Sequence, residues 1–364
     1  MFHKMKKKYS EKLRVSALDR KAKRLAEEEF REKVASGEII PFEEKRLDKF
    51  LSDENPEISR ATFQKLIANN RVEVNGKHVT DIRYKVREND KVNFCMPHAL
   101  TFSDEIASFA KKVLFENPNV VVVNKPAGIL THSKGELNDE FTVADFAKSR
   151  IMSVKEPDEV FAKNKSNRPG IVHRLDRATS GVLIIAKNAD TAHLLQKQFQ
   201  DRKAHKTYLA LVDKAPKVDH AQIDLPIGRN PKKPSQFRVD PGGKSAQTEY
   251  RVLTKFPDGS ALVELKPRTG RTHQLRVHLS YIGAPITGDP IYNEKFAKKY
   301  AKFSDDEARR NRMFLHAAQL EITVPDENEI NIRETFSAPL PDDFREEILR
   351  RDPNFNFAEL NPGN

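Results

Sequence analysis

Ile171-Val172-His173-Arg174-Leu175-Asp176-Arg177-Ala178-Thr179-Ser180-Gly181-Val182-Leu183-Ile184-Ile185-Ala186-Lys187 joins a charged loop to an apolar run. Val182 to Ala186 is short, apolar and rich in β-branched residues, which predicts a buried strand. Ser180-Gly181 is a turn signal at its entrance. Asp176 therefore sits on a loop at the mouth of a core strand, where a rigid scaffold can hold a catalytic group. Arg174 and Arg177 flank it, and neighbouring guanidinium groups keep a carboxylate ionised at neutral pH. Taken alone, the same residues also describe a carboxylate capping a turn between solvated arginines.

Composition narrows the setting. The chain has 364 residues, 38% hydrophobic and 32% charged, with a formal net charge of +11. That length suits two domains, and the basic balance favours a polyanionic partner, nucleic acid ahead of an anionic membrane. A single cysteine, Cys95, rules out a disulfide within the chain and suits a reducing cytoplasm. No apolar stretch approaches a membrane span, and the basic start lacks the apolar region of a secretory signal.

Residues 1–44 form a basic arm, disordered or partly helical, and Leu18 to Val34 has helix-forming composition with a thin apolar face. Over residues 45–95 the pattern becomes that of a small domain. Leu47, Phe50 and Leu51 share a helix face, and Ser59 is a candidate N-cap for a second helix through Ile67. Arg71 to Lys77 reads as a strand running into an Asn75-Gly76 hairpin turn, closed by a strand through Phe94. Residues 96–112 read as a linker with room for a short helix.

A second domain spans 113–346, followed by a tail at 347–364. Two strands flank the Asn117-Pro118 turn and end in Asn124-Lys125-Pro126-Ala127-Gly128, whose spacing is wrong for a phosphate-cradling P-loop. Thr142 to Val154 has the pattern of an amphipathic helix. Past the Asp176 loop, Asp190 is a candidate N-cap. Lys206 to Val212 is a strand with Tyr208, Ala210 and Val212 on one face. From pattern alone Tyr208 is a core aromatic. Asp224 to Arg238 is a Pro- and Lys-rich excursion. In Arg268-Thr269-Gly270-Arg271-Thr272-His273-Gln274-Leu275-Arg276-Val277-His278-Leu279, a turn leads into a helix with Thr272 as candidate N-cap. Leu275, Leu279 and Ile282 form its stripe, and Gly283 ends it. Arg276 lies off the stripe, free to face a cleft. His273 and His278 lack the spacing of a zinc site. Asn293 to Asn311 is a charged, helical, exposed insert.

The signature His-Arg-Leu-Asp-x-x-Thr-Ser-Gly around Asp176 resembles that of the RluA-type pseudouridine synthases. The Asn-Lys-Pro-x-Gly stretch, the Tyr208 strand, the Thr269 to His278 stretch, Gly288 to Tyr292, Arg312 to Ala318 and Phe336 to Phe344 resemble further parts of the same family. Residues 45–95 resemble an S4-type RNA-binding domain. Ala178 departs from the Asp that many ribosome-acting members carry.

The resemblance implies an α+β fold: a catalytic domain with a mixed, mostly antiparallel sheet crossed by a central cleft, plus a small α+β RNA-binding domain. It implies isomerisation of uridine to pseudouridine in RNA. Large-subunit ribosomal RNA is the expected substrate, with transfer RNA or a non-catalytic assembly role as the alternatives. Asp176 would be the catalytic residue, attacking as a nucleophile or removing a ribose proton. Tyr208 would stack on the uracil, Arg276 would pair with Asp176, and Arg174 would fill the place of the flipped base. Arg60, Lys65, Arg71 and Arg177 would contact RNA. The Asn-Lys-Pro-x-Gly stretch would support the catalytic loop. No metal or cofactor is implied, and a cytoplasmic monomer is expected.

Overall fold

The computed structural model describes residues 44–96, 102–133, 140–152, 168–234, 236–302 and 312–360, with a few helical residues between 24 and 36. Most of the basic arm and residues 303–311 of the insert lie outside these. The chain divides into two compact units after His98.

The first unit runs β1 (Lys45–Arg46), α1 (Leu47–Glu54), α2 (Arg60–Ala68), β2 (Val72–Val74), β3 (Lys77–His78), β4 (Lys85–Val86) and β5 (Val92–Phe94). Helix α1 begins at Leu47 because Lys45 and Arg46 are drawn into a short strand against Lys85 and Val86. Ser59 caps α2, its hydroxyl accepting from Thr62 N at 3.2 Å. The β2–β3 hairpin turns at Asn75 and Gly76, both with positive φ (54° and 75°), as a two-residue turn of this hand requires. Leu47, Leu51, Phe63, Leu66, Ile67 and Val72 are buried, and Phe63 meets Phe94 edge-on at 5.2 Å.

The second unit continues α3 (Ser103–Ala110), β6 (Val113–Glu116), β7 (Val120–Lys125), α4 (Val143–Met152), β8 (Ser180–Ala186), α5 (Ala189–Gln200), β9 (His205–Val212), β10 (His220–Asp224), β11 (Ile227–Arg229), β12 (Phe237–Val239), β13 (Gln247–Lys255) and β14 (Ala261–Pro267). Then come α6 (Gln274–Tyr281), α7 (Glu294–Tyr300), β15 (Leu315–Pro325), β16 (Asn331–Ser337) and α8 (Asp342–Arg351). Nine strands form one sheet in the order β10-β13-β14-β9-β15-β8-β7-β6, with β16 added to β15. Its pairs are antiparallel except β8 with β15. The fold class is the α+β arrangement expected from sequence.

Strand β8 is buried at every residue. Val182 and Ile184 pack with Ala192 and Leu195 of α5. Leu183 and Ile185 pack on the other face with Val143 and Phe146 of α4. A strand covered on both faces reads as a continuous apolar run, which is why the sequence shows no alternation there. Gly181 holds φ 116°, and a Cβ on it would lie 2.2 Å from Ala317 O. Only glycine lets β8 approach β15 this closely.

Three local expectations are corrected. Helix α5 is capped by Asn188, whose side chain accepts from Thr191 N at 2.9 Å, and Asp190 sits in the first turn. Helix α6 starts from His273, not Thr272. The expected tail boundary at 346 falls inside α8. Phe344 and Ile348 are buried in a core cluster that Phe355, Phe357 and Leu360 also join, because the apolar residues beyond 346 have somewhere to go.

Candidate active site

The Asp176 loop is seated in residues 125–132. Leu175 is anchored in the core. Thr131 Oγ1 donates to Leu175 O at 2.8 Å and accepts from Leu175 N at 3.2 Å. Gly128 N donates to Arg177 O at 2.8 Å. Lys125 is fully buried, and its Nζ donates to Pro126 O and Ile129 O at 2.8 Å and to Arg177 O at 3.2 Å. Burial without a contacting carboxylate pulls this ammonium down to about 7. On the other flank, His173 Nε2 accepts from Ile184 N at 3.1 Å and its ring stacks on Phe199 at 4.6 Å. Thr179 N closes a turn onto Asp176 O at 3.0 Å. The loop is thus tied to β7, β8 and α5, which fixes the Asp176 carboxylate in space.

That carboxylate lines a cleft of about 600 Å³, together with Arg174, Lys206, Tyr208, His273 and Arg276. Arg276 NH1 donates to Asp176 Oδ2 at 2.9 Å. Its other edge is held from behind: Nε and NH2 donate to Asp289 at 2.7 and 2.9 Å. Asp289, wholly buried, also accepts from Ile291 N and Tyr292 N at 2.8 and 3.1 Å. The guanidinium lies 5.0 Å from the Tyr292 ring centre. Arg276 thus faces the cleft and contacts Asp176, while Asp289 holds its other edge. It is 6% exposed and clamped between two carboxylates.

His273 adds a further contact, its Nε2 lying 3.8 Å from Asp176 Oδ2. Its Nδ1 meets the Tyr292 hydroxyl at 2.8 Å, and that hydroxyl accepts from Phe237 N at 2.9 Å. The Tyr292 hydroxyl thus links the Phe237 backbone to the His273 ring. Burial pushes the His273 pKa down, and the Asp176 charge opposes that shift. Its backbone holds φ 56°, a left-handed conformation costly for a non-glycine residue. Burial alone would raise the Asp176 carboxyl. His273, Arg276 and Arg174 outweigh it and hold the carboxyl below its ordinary value. Tyr208 is driven the other way, by burial and then by the Asp176 charge, so its phenol keeps its proton.

Arg174 is exposed, and its NH1 meets His132 Nε2 at 3.2 Å. Arg177 turns elsewhere. Its NH1 and NH2 fork onto Glu140 at 2.7 and 2.5 Å, and NH1 donates to Gly128 O at 3.2 Å. The guanidinium braces the loop. In the first unit Arg60 Nε donates to the buried Asp48 at 3.0 Å while its side chain stays 46% exposed. Lys65 and Arg71 are exposed. Among the described residues, no cluster of three or more His, Cys, Asp or Glu side chains is arranged to hold a metal ion. No helix among them is long and apolar enough to cross a membrane.

Residues 119–281 match the model of the RNA pseudouridylate synthase family, and residues 45–92 match the S4 domain. An uncharacterized RNA pseudouridine synthase of Aquifex aeolicus is 38% identical over 71% of this chain and 81% of its own. The chain belongs to the RNA pseudouridylate synthase family. A second uncharacterized RNA pseudouridine synthase, from Bacillus subtilis, is 36% identical over 83% of this chain and 93% of its own. The ribosomal large subunit pseudouridine synthase D of Nitrosomonas europaea is 35% identical over 82% of each. As a pseudouridine synthase with an S4 domain, the protein has RNA as its partner.

Sequence reasoning passed over Asp289, Tyr292 and His273 as parts of this site. The first two lay in Gly288-Asp289-Pro290-Ile291-Tyr292, a stretch quoted for its resemblance but given no role. A charged residue flanked by glycine and proline next to an apolar run was the available signal.

The buried histidines predict a pH response. Burial lowers His173 to about 3, His132 to about 4 and His316 to about 4. Their folded pKa values lie below the unfolded value, so the unfolded chain binds protons first as pH falls. The stability they confer is complete above about pH 6.5 and is lost as pH drops toward 4. Thermal melts should therefore show Tm falling by several degrees between pH 7 and pH 5. A Tm that stays flat over that interval would contradict the neutral, buried assignment.

Proposed function

We propose that this pseudouridine synthase isomerises specific uridines of large-subunit ribosomal RNA, working as a cytoplasmic monomer. The observation that carries the chemistry is the single ionised carboxylate of Asp176, aimed into the cleft and held by Arg276. The target base leaves its stack, at a cost of a few kcal/mol. Arg174, exposed at the cleft, takes the vacated position, and the Tyr208 ring stacks on the uracil. Asp176 then acts on the nucleotide, as a nucleophile on sugar or base or as the base that takes a ribose proton. Arg276 keeps it ionised and oriented. Tyr208 keeps its proton in the resting site, so it assists departure of the C5 proton as a relay, accepting that proton while passing its own to solvent. Arg60, Lys65 and Arg71 supply phosphate contacts that give affinity and register with little sequence choice. The ribosomal target follows the name of the Nitrosomonas relative.

Tritium release from RNA labelled at C5 of uridine tests this, with ribosomal and transfer RNA assayed separately. Release from large-subunit RNA is expected. Release from transfer RNA alone would overturn the target. No release from either, with RNA still bound, would overturn the catalytic reading in favour of an assembly factor.

A further inference from the structure

The cleft does not end at Asp176. A second cavity of about 730 Å³ opens beside it. Arg202, Ala204, Lys206, Pro267 and Arg268 belong to the walls of both. Most of the charge around the second cavity is paired. Arg268 stands 3.9 Å from Glu249 and Lys266 3.6 Å from Glu264. His205 and Arg333 both reach Glu321, at 3.2 and 2.9 Å. Arg202 and Lys206 are different: among the described residues, neither side chain has a hydrogen-bonding or acidic partner. Both lie on the shared wall.

Each is also placed at some expense. Lys206 stands two residues before Tyr208 on β9, so both side chains leave the same face of the strand. Burial with no counter-charge pulls its ammonium down to about 8. The neighbouring His173 is neutral, and Asp176 across the cleft is already occupied by Arg276. Arg202 follows the C-cap of α5 at φ 61°, a left-handed position that glycine takes without strain. Two unpaired cations on the wall shared by two cavities fit an anionic chain that passes from one to the other. Resting on the reading of this chain as an RNA-modifying enzyme, the geometry points to Lys206 and Arg202 as the seat of one phosphodiester adjoining the target uridine. The strand then continues into the second cavity. There Thr207, Gln319 and Thr335 line the walls with polar side chains for the neighbouring nucleotide.

The test uses the full chain and a fluorescein-labelled uridine pentanucleotide, followed by anisotropy. Lys206→Met should weaken binding about tenfold at low salt. It should also flatten the slope of log Kd against log salt by about 0.7, the share of one single-strand phosphate. Lys206→Arg should restore both. Wild-type Kd should rise between pH 7.5 and pH 9 as Lys206 loses its proton, and the Lys206→Arg protein should show no such rise. On RNA that the wild type modifies, Lys206→Met should raise KM about tenfold while kcat falls less than threefold. Equal Kd, salt slope and pH response in wild type and Lys206→Met would overturn the assignment, and so would a lowered Tm with unchanged salt slope. Binding is read independently of turnover, so a wild type that releases no tritium would count against the catalytic reading and leave the phosphate site standing or falling on its own result.

Discussion

Asp176→Asn abolishes turnover and leaves RNA affinity within about tenfold of the wild type. Asparagine matches the carboxylate in shape and still offers an oxygen to Arg276 NH1, which now donates to Asp176 Oδ2 at 2.9 Å. It has neither the charge to attack carbon nor the basicity to take a ribose proton, so both chemical routes close together. Arg276 keeps Asp289, so the substitution does not strand a buried cation. Affinity is expected to survive because phosphate contacts dominate it. Single-turnover tritium release and a parallel binding titration check the two halves. Turnover above a tenth of the wild-type rate would remove Asp176 from its role. A loss of binding far beyond tenfold would mean that the carboxylate is needed to hold RNA.

Asp289→Ala is the second large effect, and it falls on stability first. Asp289 accepts four hydrogen bonds, two from the Arg276 guanidinium and two from the backbone at Ile291 and Tyr292. Asp176 still partners NH1, but the buried edge of Arg276 loses both its acceptors and two backbone donors are left unpaired, which together costs about 3–5 kcal/mol. In a unit of this size, that lowers Tm by roughly 10 °C. Arg276 would also lose the fork that sets its angle on Asp176, so kcat should fall even well below the melting temperature. Asp289→Asn should cost less stability, since it retains an acceptor for the two backbone donors. Melting curves with kcat measured at 20 °C separate the effects. A variant with unchanged Tm would show that the clamp on Arg276 is dispensable.

The distribution of roles around Asp176 shows how far sequence alone can reach. Signals carried by neighbouring residues were legible. The strand at 180–186, the cap at Ser59 and the hairpin at Asn75-Gly76 each depend on contacts within a few positions. The resemblance around Asp176 spans consecutive residues and led directly to the cleft. Partners distant along the chain were not legible. Arg177 reads as a cation beside a catalytic carboxylate, yet its guanidinium goes to Glu140, 37 positions away. Arg276 reads as an arginine facing a cleft, and nothing local marks Asp289 as the partner of its other edge.

Local sequence determined which stretches fold as strands, turns and helices, and it singled out Asp176, because burial pattern and backbone preference are written in short windows. Tertiary structure decided the company Asp176 keeps. Arg276 reaches it across 100 positions of chain, and β8 meets β15 only through the bare Gly181. Tyr208 and Lys206 reach the cleft from a strand three places along the sheet from β7. Charges acquire their pKa values, and cations their partners or lack of them, only when the fold removes water and brings remote segments within a few ångströms.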